Sequence, residues 1–75
     1  IILWERENMV EPIKVGRFIA QNRKNLNLTQ KELASRTGID QADISKLENG
    51  TKNPSLKLLK KLAAGMGMQL KMYLL

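Results

Sequence analysis

A chain of 75 residues without cysteine or histidine has room for one small hydrophobic core and cannot staple it with disulfides or with zinc held by those ligands. The same absence removes thiolate and imidazole catalysis, so neither an enzyme nor a cofactor is expected, and so small a domain must rely on well-packed helices, self-association or both. Thirteen Lys and Arg against seven Asp and Glu give a net charge of +6, which suits a polyanionic partner, with an ordinary basic surface as the plain alternative.

No apolar run approaches the ~20 residues that cross a bilayer, so no membrane partner is expected and a cytoplasmic location is. Ile1, Ile2, Leu3 and Trp4 are apolar, but the run is too short for a signal-peptide core and has no basic leader. A chain opening on Ile rather than Met fits a trimmed protein or a fragment.

Residues 1–13 read as an N-terminal extension, with Pro12 and Gly16 punctuating its boundary with the first strong helix. The Ile1 to Trp4 cluster has little room to be buried in a monomer this small. Pairing with the C-terminal segment, contact with another protein such as a toxin, and an unstructured or vector-derived tail all remain open for it. The first helix is expected over 14–25, with Val15, Phe18, Ile19 and a flank of Asn22 on its inner stripe.

Thr29 precedes Gln30-Lys31-Glu32, which sets a hydroxyl at the N-cap and a carboxylate at N3, the reciprocal pair that satisfies two orphan amides. A second helix starts there, with Leu33 and Ala34 inward and Gly38 as the left-handed residue that closes it. Asp40 is expected to cap a third helix over 41–48, with Ile44 and Leu47 facing inward and Asn49-Gly50 as its stop. Pro54 is expected in the first turn of a fourth helix. That helix should bury Leu56, Leu59, Leu62, Ala63 and Met66 and end at Gly65 and Gly67. The period then changes to two, with Met68, Leu70, Met72 and Leu74 alternating against Gln69, Lys71, Tyr73 and Leu75. That spacing predicts a strand over 68–75, which needs a partner.

The segment LTQKELASRTGIDQADISKLENG, residues 28–50, therefore holds two short helices around Gly38-Ile39-Asp40. Ala34 is small where the helices approach, Gly38 allows the reversal, and Ile44 and Leu47 pin the third helix from beneath. Gln41, Ala42, Ser45 and Lys46 are left on its outer face, in a shape that fits the DNA major groove.

With its continuation into Asn53-Pro54-Ser55-Leu56, the stretch 14–67 resembles the Cro/C1-type, or XRE, helix-turn-helix family. The resemblance implies a mainly α, lambda-repressor-like bundle of four to five helices, here followed by a short C-terminal β-strand. It implies a sequence-specific DNA-binding transcriptional repressor, acting as a homodimer on an inverted-repeat operator in double-stranded DNA. Gln30 and Asn49 would contact phosphates, Gln41, Ala42, Ser45 and Lys46 would face the bases, and Arg23 and Glu48 would form a structural pair between the first and third helices. The side-chain chemistry agrees, since Gln can grip adenine, Lys can donate to guanine and the Ala methyl can meet a thymine methyl.

Lys52 is a further candidate phosphate contact, whereas Lys57, Lys60 and Lys61 read as solvated. Asp43 interrupts this surface, because phosphates repel a carboxylate unless it reads a cytosine amino group or is held by a basic neighbour. The terminal strand gives the chain a likeness to HigA- and HipB-type antitoxins, which implies an autoregulated operon and a cognate toxin as a second partner. Two such strands paired across a two-fold axis would set the recognition helices about one DNA turn apart, roughly 34 Å. A tail that covers the monomer's own core is the alternative for the strand. A protein-interaction module on the same scaffold, without DNA reading, is the alternative function.

Overall fold

The computed structural model describes residues 12–68 and, by backbone, the segments 2–4 and 71–72. Among the described residues four helices follow one another: α1 Pro12–Asn25, α2 Gln30–Thr37, α3 Gln41–Glu48 and α4 Leu56–Gly65. Two short strands, β1 Ile2–Trp4 and β2 Lys71–Met72, pair in parallel, with Ile2 opposite Lys71 and Trp4 opposite Met72. Of the roles left open for the N-terminal cluster, the backbone takes pairing with the C-terminal segment. No helix among the described residues is long and apolar enough to cross a membrane.

The core forms where the inner stripes of the four helices meet. Leu33 of α2, Ile44 and Leu47 of α3, and Leu59 and Leu62 of α4 are its largest fully buried side chains. Val15 and Ile19 close it from α1, and Ile39 closes it from the turn between α2 and α3. Removing such surfaces from water stabilises the fold by roughly 1.5–3 kcal/mol per large side chain before the entropy of ordering them is set against it.

Local capping fixes where the helices stop and start. The Thr29 hydroxyl accepts from the Glu32 amide and the Glu32 carboxylate accepts from the Thr29 amide, both at 3.0 Å, so the box at the start of α2 is complete. Gly38, at φ 74°, closes α2 by donating its amide to the Ala34 carbonyl. The helix α3 ends with Gly50 at φ 79°, whose amide reaches the Leu47 carbonyl while the Thr51 amide reaches that of Lys46. These paired bonds satisfy carbonyls the last turn would otherwise leave open.

Several sequence expectations shift. The helix α1 begins at Pro12, so Gly16 lies inside it rather than at a boundary. A Cβ on Gly16 would collide with the Leu47 carbonyl oxygen and lie 2.8 Å from that of Glu48, so the missing side chain is what lets α1 lie against the end of α3. Asp40 holds the N-cap position of α3, but its side chain makes no capping bond. Ser55, not proline, opens α4: its hydroxyl accepts from the Leu58 amide at 3.1 Å, and Pro54 stands before the cap.

Leu56, expected in the core, is 37% exposed; Leu58 is half-buried against the core instead. Met68, expected to open the strand, donates its amide to Ala63 and packs on the core, because Gly67 at φ 71° turns the chain back at the end of α4. Within the expected strand 68–75 the extended pair is Lys71–Met72, and 69–70 and 73–75 lie outside the described residues.

Candidate nucleic-acid interface

The helix α3 turns its side chains by about 100° per residue, so burying Ile44 and Leu47 commits the opposite face to solvent. Gln41, Ala42 and Lys46 are exposed there, and Ser45 and Asp43 are half-buried at its margins. The structure therefore gathers the four expected base-facing residues on one side of one helix. Gly38 brings α2 across behind α3, and the Gly50 turn leads the following loop back toward α3.

Behind that face lies a network centred on Glu48. Arg23 Nε donates to Glu48 Oε2 at 2.7 Å and Arg23 Nη2 donates to Oε1 at 2.9 Å, a two-pronged contact between α1 and α3. The third nitrogen of Arg23 donates to the Leu28 carbonyl at 2.7 Å. Only 8% of Arg23 is exposed, yet no buried side-chain nitrogen or oxygen among the described residues lacks a partner. The hydrogen bond to Glu48 holds the guanidinium further above its already high range, against the opposing pull of burial.

Gln30, at the start of α2, donates through Nε2 to Glu48 Oε1 at 3.0 Å. Gln30 thus belongs to the same network that joins α1 to α3. Beside it a shallow depression of about 540 Å³ is lined by Gln30, Gln41, Arg23, Thr29, Lys24 and Lys31, among others. Lys24 and Lys31 were not singled out in the sequence. Their adjacency to the Thr29 cap, where orphan amides and basic side chains favour anions, is the signal that could have found them.

At the far end of α3, Asn49 Oδ1 accepts from the Thr51 hydroxyl at 2.6 Å and from the Thr51 amide at 3.1 Å. Lys52 Nζ lies 3.3 Å from Asp43 Oδ1, both side chains being about 40% exposed. The carboxylate that interrupts the outer face is thus held by a basic neighbour. Of the residues named from the sequence, Gln41, Ala42, Ser45 and Lys46 share α3, Gln30 and Asn49 lie by its C-terminal end at Glu48, and Lys52 reaches back to Asp43 in its first turn.

Two helices held at a glycine turn over a shared core, with the second presenting an uncommitted polar face, define a helix-turn-helix domain. The Helix-turn-helix family profile matches residues 19–71. An HTH-type transcriptional regulator of Methanothermobacter thermautotrophicus is 43% identical over 52 residues, covering 69% of this chain and 75% of that protein. A chain of the restriction-modification controller protein C.Esp1396I, solved as a tetramer in complex with its natural 35 base-pair operator, superposes with a TM-score of 0.73 at 28% identity. That match covers 76% of this chain and 75% of the controller. A chain of a HipA–HipB–O2–O3 complex gives a TM-score of 0.73 at 28% identity, over 87% of this chain and 92% of its own. The chain belongs to the helix-turn-helix family, in its Cro/C1-type (XRE) form. It is a transcriptional regulator by that membership, and the family is not one of enzymes.

Proposed function

We propose that the protein is a cytoplasmic repressor that binds an inverted-repeat operator as a homodimer, reading bases with the outer face of α3. The observation that carries this reading is the gathering of Gln41, Ala42, Ser45 and Lys46 on one accessible helical face, with Gln30, Asn49 and Lys52 around it. The charge of +6 favours a polyanion, and the similar controller's operator complex supports DNA as that polyanion. Phosphate contacts supply affinity and position, while base edges supply the choice of sequence. Footprinting of the region upstream of the protein's own gene tests the reading: two protected half-sites one turn apart, roughly 34 Å centre to centre, are expected. Protection spread evenly along the duplex would favour a scaffold that does not read sequence.

The narrower proposal is an antitoxin that represses its own operon and neutralises a neighbouring gene's product. Support comes from the HipA–HipB complex, a chain of which is like this one over 87% of this chain's length. The C-terminal segment is the proposed dimer contact. A two-stranded ribbon of two and three residues is marginal alone, and β1 occupies one edge of β2, so the other edge is the one a second copy would complete. Co-expression with the neighbouring reading frame decides: growth arrest relieved by this chain supports the antitoxin role, and a harmless neighbour leaves a general repressor.

A further inference from the structure

Asp43 stands in the first turn of α3, two residues after Gln41 and three before Lys46. Residues near the start of a recognition helix are those that reach base edges, and residues three apart on a helix are neighbours. Asp43 and Lys46 therefore adjoin along one margin of the face that the proposed function assigns to DNA, and the inference here rests on that assignment.

An ionised carboxylate accepts hydrogen bonds and cannot donate them. In the major groove guanine offers acceptors alone, and adenine places its N7 acceptor beside its amino group, where it would repel a carboxylate. Cytosine offers the N4 amino group without such an acceptor. Lys46 has the complementary need, an acceptor such as guanine O6 or N7. A neighbouring Asp and Lys on one helix margin thus match a step rich in G·C pairs.

The obstacle to a carboxylate in this place is repulsion by phosphates, and the structure supplies the remedy. The Thr51 amide bonds the Lys46 carbonyl at 3.0 Å and its hydroxyl bonds Asn49, which folds the loop back and brings Lys52 Nζ to 3.3 Å from Asp43 Oδ1. An ammonium has three donors, enough to hold Asp43 and a phosphate oxygen together.

We infer that Asp43 is a specificity-determining residue that selects cytosine, and that Lys52 is a positioning residue that neutralises it beside the DNA backbone. Three of the seven acidic residues lie in or just before α3, at Asp40, Asp43 and Glu48. Glu48 is engaged by Arg23 and Gln30, and Asp40 precedes the helix at its cap. Asp43 is the acidic group on the margin beside Lys46.

Selection from a pool of random duplexes, followed by sequencing, tests this with wild type, Asp43→Asn, Asp43→Ala and Lys52→Ala, each first shown to melt cooperatively. Wild type is expected to select a motif with one cytosine position per half-site that Asp43→Ala makes indifferent, a loss of about tenfold in preference there. Asp43→Asn should move that position toward adenine, which an amide can grip at N6 and N7. Lys52→Ala should weaken binding with a shallower salt dependence and also blunt the cytosine preference, because the carboxylate it holds is left to phosphate repulsion; a cytosine preference kept at the wild-type level would make Lys52 a phosphate contact only. If the Asp43 variants select the wild-type base at every position, the inference is wrong while DNA reading by α3 stands. If wild type selects no motif, the proposed function fails and the inference falls with it.

Discussion

Arg23 and Glu48, 25 residues apart in sequence, face each other through two hydrogen bonds of 2.7 and 2.9 Å, each side chain being about 10% exposed or less. A pair this buried adds little net stability, because two charges leave water to form it, but losing one partner strands the other at about 3–5 kcal/mol. Glu48→Ala leaves Arg23 with the Leu28 carbonyl as its remaining partner among the described residues and also releases Gln30. The expected outcome is a large drop in melting temperature together with weaker DNA binding. Arg23→Lys should fare almost as badly, since an ammonium cannot span both carboxylate oxygens and the carbonyl in the guanidinium's fixed geometry. A thermal melt by circular dichroism checks both; an unchanged midpoint would remove the pair from the scaffold.

Gly16 and Gly38 should respond to alanine for different reasons. At Gly16 the new methyl meets the backbone carbonyls of Leu47 and Glu48, which cannot swing aside, so α1 must move away from α3. Overpacking of this kind costs about 1–3 kcal/mol or more. At Gly38 nothing lies within 4 Å, and the burden is the left-handed backbone at φ 74°, about 1–2 kcal/mol for a residue with a Cβ. In a domain this small each kcal/mol moves the midpoint by roughly 4–8 °C. Gly16→Ala should be the more damaging of the two, and the reverse order would show that α1 has room to shift.

The start of α2 should carry a signature in acid. Hydrogen bonding from the Thr29 amide holds the Glu32 carboxyl below its ordinary range, with smaller help from the Thr29 side chain. The folded-state pKa is thus lower than the unfolded one, so this contribution is fully present above the ordinary carboxylate range and is lost as pH falls through the folded value. The gap in melting temperature between wild type and Glu32→Gln should therefore be constant near neutral pH and close in acid. A gap that stays the same down to pH values where all carboxyls are protonated would contradict the capping role.

What the sequence disclosed and what it hid divide along the range of the interactions. Thr29 with Glu32, Gly38 and Gly50 act within one turn of their own positions, so their roles could be read from spacing. Ile44 and Leu47 follow the helical period, and burying them sets the outer face of α3. Gly16 looks like punctuation in the sequence because its reason is the end of another helix about 30 residues on, which no local pattern records. Leu56 has the right spacing from Leu59, but Leu58 takes the place against the core, since position on the helix and not spacing alone decides which side of a wide apolar stripe faces inward. The partners of Gln30 and Lys52 are likewise tertiary, meeting them across the turn and the loop.

The most direct test of α3 as the reading helix is a fluorescence-anisotropy titration of the protein's own upstream duplex and a scrambled duplex of the same composition, repeated between about 50 and 200 mM salt. Wild type should prefer the upstream duplex by a factor on the order of 10³ or more. The Gln41→Ala Lys46→Ala double variant should melt as wild type does but bind both duplexes alike, with an affinity that still falls with salt. A double variant that keeps the wild-type preference would contradict the account.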